Sequence, residues 1–254
     1  MNVYFLGTGS SQGIPVIVSN HPVCLSKNLK DKRLRASILI KINDTNLIVD
    51  CGPDFRQQML TSNCTKIDAI LFTHEHSDHT SGLDDIRPFN FMQGDIEIFA
   101  HKRVLSNLKK RFDYIFEIEN KYPGAPSVIC NEIEEDKNFK INKNEIIPIN
   151  ALHGNLQVFG FRIDDFAYLT DIKSIENSEI EKLKNLKVLI INVLRIEPHP
   201  SQFNLQEALD FVTLIAPKKT YLTHISHSLG FHDEVEKKLP KNVYLAYDNL
   251  EIEI

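Results

Sequence analysis

No apolar run in these 254 residues approaches the roughly 18 that a membrane-spanning helix needs, so no membrane partner is expected. The opening Met1-Asn2-Val3-Tyr4-Phe5-Leu6-Gly7 lacks the positively charged start and cleavage site of a signal peptide and reads as a first strand. Cysteine is scarce. Cys24, Cys51, Cys64 and Cys130 are scattered, which argues against a disulfide framework at this length and makes the cytoplasm the expected compartment. Positive charge is not in excess: the formal net charge is -5, so only a local basic patch could attract nucleic acid. No low-complexity linker divides the chain, and residues 1–254 read as a single domain. What is present is 42% hydrophobic and 25% charged residues, enough for the core of an ordinary globular protein.

Short β runs alternate with helical runs. Ser37–Ile42 and Asn46–Asp50 are apolar strands joined by the turn signal Asn43-Asp44-Thr45, and Pro53–Leu60 has Pro at a helix start. Ala69–Phe72 is a buried strand, Ile96–Ala100 another, and Arg103–Phe112 has helical spacing. In the second half Glu145–Asn150, Gln157–Ile163, Ala167–Leu169, Val188–Val193, Lys219–Leu222 and Val243–Tyr247 read as strands. Ser178–Leu186, with Ser178 as cap, Leu205–Ile215, capped by Asn204, and a stretch near His232–Leu239 read as helices. Asp113–Asp136 is the least regular segment, either a lid or a plain surface insertion. This order predicts an α/β (α+β) fold: an αββα sandwich of two mixed β-sheets flanked by helices, each half of the chain supplying one sheet.

The strand Ala69–Phe72 runs into His74-Glu75-His76-Ser77-Asp78-His79. Imidazole and carboxylate suit borderline divalent metals. His74 and His76 alternate along an extended segment and can face one way, while Asp78 and His79 follow in a turn. Composition alone would produce such an H-x-H-x-D-H frame about once in a thousand chains of this size. His153, Asp171 and His224 each lie just past a predicted strand, where they could converge on one edge of the sheets.

With these residues in that order, the chain resembles the metallo-β-lactamase superfamily. The resemblance implies His74, His76 and His153 on one metal, Asp78, His79 and His224 on a second, and Asp171 bridging. Asp50, in Ile48-Val49-Asp50-Cys51-Gly52, matches an early Asp that orients ligands. The opening Leu6-Gly7-Thr8-Gly9-Ser10-Ser11-Gln12-Gly13-Ile14-Pro15, the run Leu222-Thr223-His224-Ile225-Ser226-His227 and the ending Ala246-Tyr247-Asp248-Asn249-Leu250-Glu251-Ile252 look like those of PhnP-type phosphodiesterases.

That resemblance implies two divalent cations, zinc or manganese, that activate water against a small nucleotide- or ribose-type phosphodiester, cyclic ones included, with Asp78 orienting the nucleophile. Two features depart from it. The family's three-cysteine structural zinc site falls on Ser19, His21 and Cys24, with His227 as fourth partner, so a third zinc is either held by His21, Cys24 and His227 or lost. The family's proton-donating histidine falls on Gln202, which cannot act as a general acid; His199 is the nearest substitute or, equally, an exposed loop residue.

Rival readings are a tRNA-processing nuclease, a thioesterase or lactonase using the same metals, and a non-enzymatic metal- or metabolite-binding protein. The nuclease ranks lower, because Lys102–Arg111 is a short basic helix that reads as a solvated face and not as a long arm. A homodimer is left open.

Overall fold

Along β2 (Ser37–Ile42), Ile38 and Ile40 belong to one buried cluster and Leu39 to another. That is the period-2 signature of a strand with apolar neighbours on both faces. The same alternation holds across most of the computed structural model, which describes residues 1–254. Three cores result. A central one lies between two sheets and joins Phe5, Ile40, Val49 and Leu71 to Phe159, Phe161, Tyr168 and Ile190. A second packs the outer face of one sheet on the helices Phe55–Ser62 and Lys102–Arg111. The third packs the other sheet on the helix Leu205–Ile215. The layers are helix, sheet, sheet, helix. Each fully buried Leu, Ile or Phe contributes on the order of 1.5–3 kcal/mol to holding them together.

The first sheet contains β1 (Asn2–Gly7), β2, β3 (Thr45–Val49), β4 (Ala69–Leu71), β5 (Ile96–Ala100) and β6 (Val128–Glu132). The second contains β7 (Phe139–Ile141), β8 (Asn144–His153), β9 (Leu156–Ile163), β10 (Phe166–Leu169), β11 (Ser174–Ile175), β12 (Val188–Asn192), β13 (Lys219–Thr223) and β14 (Val243–Leu245). Both sheets are antiparallel at one end and parallel at the other: β3-β4-β5-β6 in the first and β10-β12-β13-β14 in the second. The division by halves has one exception. β15 (Glu251–Glu253), at the C-terminus, crosses back to the first sheet and pairs with β1, Asn2 opposite Glu253.

The β2–β3 hairpin turns on Asn43 and Asp44, both at positive φ (47° and 60°), as a tight primed turn requires. The helix Leu205–Ile215 carries the full capping box, Asn204 accepting from Glu207 N and Glu207 accepting from Asn204 N. Three expectations change. The helix expected over Ser178–Leu186 is Asn177–Glu181, with Glu176 at its cap and no capping side chain, so Ser178 lies inside it. The strand expected over Glu145–Asn150 continues to His153, because the β8–β9 ladder stays paired to His153 opposite Leu156. Asp113–Asp136 is not structureless: it holds a one-turn helix, Asp113–Phe116, and the edge strand β6. No helix is long and apolar enough to cross a membrane.

Candidate metal centre

The parallel halves of both sheets aim their strand ends at one place. Asp50 follows β3, His74 to His79 follow β4, Asp171 follows β10 and His224 follows β13. Asp50, Asp171 and His224 all have left-handed backbone, with φ of 64°, 58° and 57°. Asp and His are among the non-glycine types that tolerate this region. Each kink lies at or just past the end of its strand. Sequence patterns do not reveal them, since they depend on where pairing ends.

His74, His79, Asp171 and His224 form a buried floor. Asp78 and His153 are half-buried and His76 is exposed, so the rim opens to solvent. The His74 and His76 rings are 4.5 Å apart by centroid, and His153 lies 5.2 Å from His76 and 5.9 Å from His74. On the other side the His79 and His224 rings stack at 5.6 Å. Asp171 Oδ2 lies 3.2 Å from Nε2 of both His79 and His224, and Asp78 Oδ2 lies 3.1 Å and 3.6 Å from the same two atoms. Two sets of three donors come within 4.8 Å of one another: His74, His79 and Asp171, and Asp78, His79 and His224. Ligands bonded at 2.0–2.1 Å around a tetrahedral cation stand about 3.3 Å apart, which is the spacing seen here.

Four of the histidines are held by their far nitrogen. Thr73 Oγ1 donates its one proton to Asp50 Oδ2 at 2.8 Å, so His74 Nδ1 is the donor across the 2.9 Å to Thr73 Oγ1. His79 Nδ1 donates to Asp50 Oδ2 at 2.7 Å, His153 Nδ1 to the Ser201 carbonyl at 2.7 Å, and His224 Nδ1 to Gln202 Oε1 at 3.0 Å. Each contact puts the proton on Nδ1 and leaves the Nε2 lone pair free, the arrangement that orients metal-binding imidazoles. Nε2 of His74, His79 and His224 is buried with no hydrogen-bond partner. Three orphaned nitrogens in one buried floor would be costly unless a cation is what they face. The residues present therefore fit divalent metal ions.

Electrostatics agree. Burial, reinforced by His79, pushes His74 well below the ordinary imidazole range and keeps it a neutral donor. Burial works against charge on His79 too, but Asp78, Asp50 and Asp171 outweigh it and hold its proton tightly. A dication would take over the role of that proton. Burial likewise disfavours the Asp78 and Asp171 carboxylates, yet His79 and His224 hold both well below the usual range.

Gln202 is not aimed at the open rim. It is buried, its Nε2 donating to Asp171 Oδ1 at 2.7 Å while its Oε1 accepts from His224. A carboxylate only accepts, so the amide orientation is fixed: nitrogen toward Asp171, oxygen toward His224. His199 is half-buried, and its Nδ1 accepts from Ser201 N at 3.3 Å, which places its own proton on Nε2. Burial and the nearby Arg195 lower its pKa. The loop Pro198–Gln202 thus supplies three things in succession: His199, the Ser201 carbonyl on His153, and the Gln202 amide. Thr73 and Ser201 were not legible as site residues, because one acts through a hydroxyl shared by two neighbours and the other through its backbone.

The second expected metal loop is assembled differently. His21 and His227 pack edge to face at 4.9 Å, and Ser19 Oγ accepts from His21 N. Cys24 Sγ instead accepts from Val16 N at 3.4 Å and is buried beside Ile14 and Val23. No three-donor set within 4.8 Å unites His21, Cys24 and His227, and none unites His74, His76 and His153.

Residues 45–225 match the family model described as the beta-lactamase superfamily domain. A crystal structure titled as a new diphosphatase from the PhnP family superposes with a TM-score of 0.92 and 34% identity, covering 100% of this chain and 97% of that one. The chain belongs to the beta-lactamase superfamily and, within it, to the PhnP family. Among curated proteins, one named octanoyltransferase from Porphyromonas gingivalis is 38% identical over 254 residues, 99% of this chain and 51% of that protein. Ribonuclease Z of Bacillus subtilis is 26% identical over 170 residues, 65% of this chain and 49% of its own length. The chain spans about half the length of the curated relatives it matches.

Proposed function

We propose that this protein is a hydrolase that uses two divalent cations, zinc or manganese, to cleave small phosphodiesters. The observation that carries the reading is the set of inward-facing Nε2 atoms, each fixed by a partner on Nδ1, with Asp78 and Asp171 between them. His74, His76 and His153 would hold one ion, Asp78, His79 and His224 the other, and Asp171 both. Cations so held supply a nucleophile from water near neutral pH and neutralise charge growing on a phosphoryl group. The chain's own residues do the rest. Asp50, Thr73, Gln202 and the Ser201 carbonyl keep the imidazoles in the ligating tautomer. Asp78, at the rim, orients the attacking oxygen. In its imidazolium form, and not as the neutral ring, His199 would protonate the leaving oxygen, the step that Gln202 cannot perform. The 34% identity to a PhnP-family diphosphatase supports phosphate over acyl chemistry.

A second reading, acyl-ester or thioester hydrolysis, is favoured by the relative named octanoyltransferase, which aligns with 99% of this chain. The test is a parallel assay of the zinc- and manganese-loaded protein on bis-p-nitrophenyl phosphate, a diphosphate ester, an octanoyl thioester and a lactone, with His76→Ala as control. Turnover of the phosphorus esters that His76→Ala abolishes is expected. Turnover of the thioester or lactone alone would replace the first reading with the second.

A further inference from the structure

Glu75 lies between two metal-facing histidines and must point away from them. Its carboxylate is largely buried, and its Oε1 meets Arg103 NH1 at 3.1 Å. Arg103 NH2 donates in turn to the Gln157 carbonyl at 2.6 Å. Gln157 is the second residue of β9, on the far side of the tight turn at Gly154 from His153, and His153 pairs with Leu156. One guanidinium thus joins the loop of His74 and His76, from the first sheet, to the hairpin of His153, from the second. Nearby, Arg111 grips the other end of the same loop: NH1 donates to Thr80 Oγ1 at 2.7 Å and to the Glu75 carbonyl at 3.2 Å, and NH2 to Ser81 Oγ at 3.0 Å and Ser77 Oγ at 3.2 Å.

The basic helix Lys102–Arg111 is therefore divided. Lys102, Lys109 and Lys110 are exposed, but both arginines reach the metal loop. The bond pattern explains the residue type: Arg103 needs two divergent N–H groups, one for a carboxylate and one for a carbonyl, which a lysine ammonium cannot present in a fixed fork.

We propose that Arg103 is a positioning residue for one of the two metal sites, the one formed by His74, His76 and His153, acting through Glu75 and the β8–β9 hairpin. The proposal rests on the two-metal reading. The partners of Arg103 are Glu75, between His74 and His76, and Gln157, in the hairpin of His153, whereas the anchors of His79 and His224 are Asp50 and Gln202. Losing Arg103 should therefore split the two binding steps, not weaken both.

The experiment is a titration of metal-stripped protein with zinc against a chromophoric chelator, which resolves the number of ions and the affinity of each step. Wild type is expected to take up two ions. Arg103→Met is expected to weaken one step by about 10–100-fold, the usual effect of removing an outer partner of a ligand, and to leave the other within about twofold. Arg103→Lys, which keeps the ion pair but loses the Gln157 bond, should fall between, and also serves if the methionine variant does not fold. Glu75→Gln should weaken the same step as Arg103→Met. Equal weakening of both steps, or no change in either, overturns the proposal while the two-metal reading stands. Wild type that binds fewer than two ions overturns both.

Discussion

The Gln202 amide oxygen accepts from His224 Nδ1 at 3.0 Å while its nitrogen donates to Asp171 Oδ1 at 2.7 Å. One side chain thus fixes both the tautomer of one metal-facing residue and the rotation of another. Gln202→Ala should weaken metal binding about 10–100-fold and lower turnover with it. Gln202→His separates two roles. If the position served proton transfer, histidine would raise activity; as a holder it should lower it, because the rigid imidazole ring directs its one acceptor and one donor nitrogen along different lines from those of the amide. Metal content and kcat measured on the same preparations decide between them.

The proposed proton donation by His199 has a signature that depends on the leaving group. His199→Ala should slow cleavage of an alkyl phosphodiester by about 10²–10⁴. The p-nitrophenyl analogue, whose leaving oxygen needs no proton, should change little. A uniform loss across both substrates would assign His199 to holding the loop through Ser201.

Two glycines separate close packing from backbone strain. A Cβ on Gly52 would come 2.1 Å from the Asp78 carbonyl, whereas Gly94 has φ of 83° and nothing within 4 Å of its Cβ position. Gly52→Ala must push away the turn that carries Asp78 and His79, and should lower both Tm and metal content. Gly94→Ala should cost only the strain of a left-handed residue, on the order of 1–3 kcal/mol, with metal content unchanged. Thermal melts and metal analysis of both variants test the contrast.

The buried cluster behind the N-terminal loop predicts opposing pH effects. Arg33 donates to Thr8 and to the Ala246 carbonyl and lies 3.1 Å from His232 Nδ1, while Asp248 accepts from Thr8 and Leu34 N. Burial, aided by Arg33, drops His232 from 6.5 to about 4. Below pH 6.5 the unfolded chain then binds a proton that the folded one refuses, so stability falls as pH drops toward 4. Burial raises Asp248 from 3.8 to about 6, so the folded chain keeps a proton that the unfolded one releases, and stability falls as pH rises from 4 to 6. Relative to wild type, His232→Gln should do progressively less harm as pH falls through that window, and Asp248→Asn less harm as it rises. Difference melting curves at several pH values would show the two trends crossing, and parallel trends would contradict the assignment.

The fold was readable wherever apolar residues alternate under burial on two faces, as in β2, β9 and β12, and the cap at Asn204 was readable from Asn204 and Glu207 alone. The seven residues that the structure brings together at the candidate metal centre were legible from the rarity of the H-x-H-x-D-H frame and from the placing of His153, Asp171 and His224 just past strands. What escaped was set by partners distant in sequence. β6 carries the run Val-Ile-Cys-Asn-Glu, none of it fully buried, and is a strand because β5 pairs with it; an edge strand needs no buried apolar alternation. β15 has just three residues, Glu-Ile-Glu, and owes its strand to β1. Gln202 stands out in the sequence only as a departure, and its holding role shows once His224 and Asp171 are beside it; Arg103 looks like an ordinary surface cation until Glu75 is beside it.

The pairing of β15 with β1 brings residues 1 and 254 together: Ile254 N donates to the Met1 carbonyl at 2.9 Å. The sequence could therefore be closed into a circle by a linker of a few residues and reopened elsewhere. The exposed turn at Asp136 and Lys137, between the last strand of one sheet and the first of the other, is the natural cut. A permutant beginning at Lys137 would have the second sheet made before the first, and His153, Asp171 and His224 synthesised ahead of His74 to His79. If it folds and binds the same number of metal ions, the centre depends on where the strand ends meet and not on the order in which the ribosome delivers them.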